Sequence, residues 1–120
     1  MYTKAYKEEW NVNHQQIQEC IQACIEAMTA SNACYSACLE EDHVKEMTEC
    51  IKLDRECADI CRVAITSMQT HSPFMMEICK LCADVCEACA KECDKHPHDH
   101  CRKCAEACYR CANLCRNMSA

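Results

Sequence analysis

The stretch CKLCADVCEACAKEC, residues 79–93, carries five cysteines separated by three, four, three and four residues. Cys101, Cys104, Cys108, Cys111 and Cys115 repeat the same spacing near the end of the chain. Upstream stand Cys20, Cys24, Cys34 and Cys38, then Cys50, Cys57 and Cys61, for a total of 17. Thiols in this abundance admit three chemistries: disulfide staples, an iron–sulfur or zinc site, or a lining for a soft monovalent ion. The odd count leaves at least one thiol unpaired in any disulfide framework.

The rhythm itself points to the elements that hold the thiols. Steps that alternate between three and four residues keep side chains on one stripe of an α-helix, and Glu77, Lys80, Asp84, Glu87 and Lys91 fall on the opposite face of the same segment. In the first cysteine segment Ala27 and Ser31 occupy stripe positions between the cysteine pairs, and in the second Met47 and Asp54 share the cysteine line. The chain contains no glycine and only two prolines, Pro73 and Pro97. Iron–sulfur loops, zinc knuckles and secreted knots need positive φ, which glycine supplies most cheaply, and a helical protein does not.

Caps and periodicity predict four helices. The first spans about residues 14–40, capped by Asn13. The second runs from an Asp42 cap to about residue 70. Ser72 followed by Pro73 makes an N-cap and first-turn pair that opens a third helix, to about residue 94. KHPHDH, residues 95–100, interrupts the pattern, and a fourth helix covers about residues 98–117. Connections this short force antiparallel neighbours, so the expected fold is all-α, an up-down-up-down four-helix bundle over residues 14–120. Residues 1–13 form an N-terminal extension whose Tyr2, Tyr6 and Trp10, at i, i+4 and i+8, suggest a short helix packed outside the bundle.

Composition explains why cysteine must carry the core. Leu, Ile, Val and Phe number 16 of 120 residues, and the net charge is −6, a combination that without the thiols would indicate disorder. Reduced cysteine behaves as a small buried hydrophobe. MYTKAYKEEWNVN contains no apolar signal segment and no twin arginine, and no stretch reaches 18 uncharged apolar residues, so a cytoplasmic protein is expected, with no membrane partner and with reduced thiols. The acidic balance excludes a nucleic-acid partner. Arg102, Lys103, Arg110 and Arg116 read as a solvated helix face. No strand pattern, phosphate loop, nucleophile or paired acid suggests an enzyme.

A bundle of this length offers about 25 to 30 inward positions, of which cysteine would hold more than half. Putting small side chains in place of leucine-sized ones costs about 2 to 5 kcal/mol each where a cavity remains. A core of this kind makes sense only if something else fills its axis. Thiolates select Cu(I), zinc or iron–sulfur clusters. Zinc wants four converging ligands, whereas residues at i and i+3 or i+4 lie about 5 to 6 Å apart at Cβ, a gap that two sulfurs close around one low-coordinate ion. Charge favours the monovalent ion too, because one Cu(I) balances one buried thiolate, giving a capacity on the order of 17 Cu(I) ions per chain. A zinc-buffering protein and an iron–sulfur electron-transfer protein are the alternatives. The latter lacks the C-x2-C-x2-C loop such clusters use.

Secondary ligands follow from the topology. One end of the bundle gathers His43, Met47, His96, His98 and His100 near Cys38, Cys93 and Cys101, and the other gathers His14, Ile17, Met68, Met75, Met76 and Met118. Imidazole and thioether both bind Cu(I), and the His-rich end is the favoured mouth because Ile17 and the methionines make an apolar plug. Asp54 either faces the thiols or sits on the flank of the stripe. His43, Met47, Asp54, His98 and His100 are the lesser candidate ligands beside the 17 cysteines. Adjacent apolar stripes, Ile21, Ile25, Met28 and Tyr35 on the first helix and Phe74, Ile78, Leu81 and Val85 on the third, serve packing between helices or a subunit interface.

The repeated C-x3-C units on four helices, together with CIKLDRECADIC (residues 50–61), SPFMMEIC (residues 72–79) and the KHPHDHC loop, resemble the cytosolic bacterial copper storage proteins. The resemblance covers residues 14–118. It implies a cysteine-lined four-helix bundle that binds many Cu(I) ions, assembles as a homotetramer and serves copper storage or detoxification; copper chaperones are candidate exchange partners. Ala27 and Ser31, where further stripe cysteines could stand, depart from that pattern and put the sites near the middle of the first helix in question.

Overall fold

A computed structural model describes residues 14–119, apart from the side chain of Ser119. The expected N-terminal extension, with Tyr2, Tyr6, Trp10 and the Asn13 cap, lies outside these residues. Four helices fill the described chain: α1 (His14–Cys38), α2 (Thr48–Gln69), α3 (Met75–Cys93) and α4 (Asp99–Ser119). α1 has 25 residues, which at 1.5 Å per residue makes it about 37 Å long. α1 packs on α2 and α4, and α3 packs on α2 and α4, closing an antiparallel four-helix bundle.

The connections show where local chemistry departs from the expected boundaries. Asp42 does not start the second helix. After α1 the amides of Glu40 and Glu41 bond back to the carbonyls of Ala37 and Cys38, and a 3₁₀ turn, Val44–Met47, precedes α2. A 3₁₀ turn advances about 120° per residue where an α-helix advances about 100°. It therefore swings Met47 into the core before the α register restarts at Thr48, and no side chain caps that start.

The α2–α3 connection turns at the expected Ser72–Pro73 pair, but the regular helix starts two residues later. His71 adopts φ 54°, and the Ser72 amide bonds to the Ser67 carbonyl at 2.9 Å, which is the six-to-one bond of a Schellman ending. Ser72 then accepts the Phe74 amide at 3.0 Å and its carbonyl accepts the Met75 amide at 3.1 Å, so Ser72–Pro73 form a turn that leads into the helix, and the N-cap position itself falls on Phe74, with no side-chain cap. The helix is regular from Met75.

The core is made of thiols, alanines and a few larger groups. All 17 cysteines have no solvent exposure, and Ala27, Ala64, Ala83 and Ala90 are buried with them. Ile17, Met68, Met75 and Met118 close one end as buried side chains, so the apolar plug is present. On the outside, basic residues of α4 pair with acids: Arg110 with Glu26 at 3.0 Å, Arg116 with Glu87 at 2.6 Å, Lys103 with Asp99 at 3.1 Å, and Arg102 also with Asp99. Exposed pairs of this type add little to stability and serve mainly to solvate the face. No helix among the described residues is long and apolar enough to cross a membrane.

Candidate metal centre

Each cysteine stripe turns inward because it is an apolar face opposite charged residues, Asp54 on α2 being the exception, and four such faces meet along the axis. Every one of the 17 cysteines is a free, buried thiol. Their sulfur atoms form a column along the axis. From the plugged end, Cys20 lies 3.4 Å from Cys115, and Cys24 lies 3.5 Å from Cys111. Cys111 is 3.7 Å from Cys86, and Cys86 is 3.6 Å from both Cys57 and Cys61. Cys57 reaches Cys108 at 3.6 Å, and Cys108 reaches Cys104 at 3.8 Å. Beyond Asp54, Cys93 lies 3.6 Å from Cys50, Cys50 lies 4.0 Å from Cys34, and Cys34 lies 3.8 Å from Cys101.

Within this column several sets of ligand atoms lie within 4.8 Å of one another, among them Cys24, Cys82, Cys111 and Cys115; Cys61, Cys82, Cys86 and Cys111; Cys34, Cys38, Cys50 and Cys101; and Cys20, Cys79 and Cys115. Three helices contribute to each of the first two sets, so four thiols converge more closely than single-helix spacing predicted. The sets overlap: Cys82 and Cys111 belong to both of the first two, and Cys115 joins the last to the first. Separate tetrahedral zinc sites need four ligands of their own, whereas shared thiolates suit bridged, low-coordinate Cu(I).

Two oxygens interrupt the sulfur. Ser31, on the stripe of α1, places its hydroxyl 3.6 Å from both Cys104 and Cys108. Asp54 is fully buried on the axis, not on the flank. Its carboxylate oxygens accept thiol hydrogens from Cys89 at 3.3 Å, Cys104 at 3.4 Å, and Cys50 and Cys93 at 3.8 Å. Burial first, and then the neighbouring Cys104 and Cys50 charges, push this carboxyl up to about 9. Burial likewise raises Cys101 to about 12 and pushes Cys38 above the ordinary thiol range. Hydrogen bonds from neighbouring thiols push Cys50, Cys57, Cys82, Cys104 and Cys115 the other way, so the column shares its protons unevenly, and a cation that enters displaces those its thiols still carry.

The His-rich end is ordered by a carboxylate that the sequence did not single out. His100 sits at the start of α4 with Nδ1 at 3.3 Å from Cys34 Sγ and 3.5 Å from Cys101 Sγ. Its Nε2 lies 2.8 Å from a carboxylate oxygen of Glu41. His98 stacks on His100, with ring centroids 5.3 Å apart and planes within 8°, and its Nδ1 is 3.6 Å from the same Glu41 oxygen. The hydrogen bond with His100 and the neighbouring His98 charge hold the Glu41 carboxyl below its ordinary value. Of the other candidates, Met47 is buried at this end. His43 is exposed beside Glu46, Met47 and His98, and among the described residues no hydrogen bond joins it to a cysteine. His96 bonds to Glu92 at 3.0 Å. Glu41 carried no sequence signal beyond its position opposite the HPHDH segment, because an acidic residue in an exposed connection is ordinary.

A family model described as copper storage protein matches residues 13–120. The chain is 58% identical over 103 residues to the cysteine-rich protein YhjQ of Bacillus subtilis, covering 86% of this chain and 95% of the relative. Among solved structures, the Cu(I)-bound copper storage protein BsCsp3 of Bacillus subtilis superposes with a TM-score of 0.84 at 58% identity, covering 88% of this chain and 99% of that one. A cytosolic copper storage protein from Streptomyces lividans, carrying five coppers, superposes with a TM-score of 0.88 at 36% identity, covering 91% of this chain and 96% of that one.

Proposed function

The chain belongs to the copper storage protein family, and we propose that its 17 core thiols are the ligands through which it stores Cu(I) in the cytoplasm. The Bacillus subtilis relative is solved with Cu(I) bound and the Streptomyces lividans relative with five coppers. The observation that carries the residue assignment is the run of buried sulfurs from Cys20 to Cys101, bridged at one step by Asp54 and held in no disulfide. Each incoming ion displaces a thiol proton and leaves the column neutral, so capacity is on the order of 17 ions. Asp54 supplies an oxygen ligand or acceptor within the run. His100, with His98 behind it, marks the mouth, since Ile17, Met68, Met75 and Met118 stop the other end. Met47 lines that mouth from α2's leading turn, and His43 stands at its rim. The role is storage or detoxification without catalysis, with release to chaperones that exchange copper through ligand substitution.

One experiment tests the assignment and the zinc alternative together, the latter being favoured by the four-thiol sets. Reduced protein is titrated anaerobically with Cu(I) against a competing chelator, with bound ions and released protons counted per chain. About one ion per cysteine and about one proton per ion are expected. Saturation at about four ions would reject the column, and tighter binding of zinc with about two protons released per ion would make this a zinc buffer.

A further inference from the structure

We propose that Glu41 is a positioning residue for copper admission, whose carboxylate holds the His100 ring in the one tautomer and orientation that present a bare Nδ1 beside Cys34 and Cys101. Neutral imidazole has one N–H and one lone pair, and the partner of one nitrogen decides the state of the other. At 2.8 Å from a carboxylate oxygen, Nε2 must be the nitrogen that carries hydrogen. Nδ1 then has its lone pair directed toward two sulfurs at 3.3 and 3.5 Å. One nitrogen and two sulfurs gathered this closely make a three-ligand site for Cu(I), a soft ion content with low coordination.

The arrangement is held from both sides. Glu41 lies in the connection just after α1, three residues beyond Cys38, whereas His100 lies in the first turn of α4, next to Cys101. The 2.8 Å bond therefore ties the two helices that contribute Cys34 and Cys101. His98 stacks on the outer face of His100 and brings its own Nδ1 to 3.6 Å from the same carboxylate oxygen, so neither the ring nor the carboxylate can rotate without losing a contact. Partners that orient a metal-binding histidine typically change metal affinity or activity about 10- to 100-fold when removed.

This inference rests on reading the His-rich end as the mouth, and the test separates the two. The rate of Cu(I) transfer from a chromophoric chelator to reduced, metal-free protein is compared for wild type, Glu41→Ala, Glu41→Gln and His100→Ala, with ¹⁵N chemical shifts of the imidazoles recorded on the same samples. Circular dichroism confirms equal helicity. Glu41→Ala should slow transfer about 10-fold or more and convert His100 from a single Nε2–H tautomer into a mixture. Glu41→Gln, whose amide oxygen accepts the same N–H, should restore both the rate and the tautomer. Unchanged transfer in His100→Ala would overturn the mouth and this proposal with it. Slow transfer in His100→Ala alongside wild-type rate and tautomer in Glu41→Ala would overturn the role of Glu41 and leave the mouth standing.

Discussion

Asp54 is the buried carboxyl among the described residues, and it sets a pH dependence that the thiols alone would not. Its folded value of about 9 stands above the ordinary 3.8, chiefly because it has lost solvent. Between those two values the folded protein keeps a proton that the unfolded chain has released. Stability of the metal-free protein therefore falls as pH rises through this window, by up to about 1.4 kcal/mol per pH unit from this group. Asp54→Asn keeps the shape and removes the titration. Urea denaturation of both reduced proteins, in steps between about pH 5 and 8, should show the variant gaining on wild type as pH rises. Parallel stability curves would mean that Asp54 is already ionised in the folded state. The sequence left this residue between the axis and the flank, because a single residue four positions from Cys50 fits either edge of a stripe, and only the convergence of Cys89, Cys93 and Cys104 from α3 and α4 decides between them.

At the scale of the element, helix faces were readable and helix ends only partly so. The stripes of α3 and α4 could be assigned because five cysteines in each repeat a helical period opposite charged residues, and all of them are buried. The turn at Ser72–Pro73 was legible because its chemistry is local, although the regular helix waits until Met75. The start of α2 was not, because the 3₁₀ turn Val44–Met47 answers to the burial of Met47 and has no capping signature of its own. His71 shows the cost of a chain without glycine. Its φ of 54° is tolerable to histidine but costs a side-chain-bearing residue roughly 1 to 2 kcal/mol, part of which glycine recovers before its extra freedom in the unfolded chain is counted. His71→Gly should therefore raise the unfolding free energy of the metal-free protein by about 0.5 to 1 kcal/mol. Chemical denaturation under reducing conditions measures it, and a loss of stability would show that contacts of the imidazole outweigh the backbone term.

For the molecule as a whole, the apolar groups that the thiol column leaves outside are as informative as those within. Leu81 is 53% exposed and Val63 46% exposed, and with Ile60 and Val85 they line a groove between α2 and α3, bordered by Glu56 and Asp59. Phe74, at 63% exposure, lies just before α3 in line with the same stripe. Of the apolar stripes noted in the sequence, Phe74 and Leu81 thus face outward, while Ile78 and Val85 are partly buried against the core; association of bundles would cover the exposed pair. The groove runs along the side of the bundle, whereas His98, His100 and Glu41 sit at its end, so lateral association leaves the mouth open to copper. Light scattering of reduced protein should accordingly give about four times the chain mass, the homotetramer that the family resemblance implies, and Leu81→Glu with Val63→Glu should lower it while helicity and copper capacity persist. A wild-type mass equal to one chain would assign the exposed leucine and valine to no stable interface. A variant that dissociates and also loses capacity would show that the column depends on its neighbours for its shape.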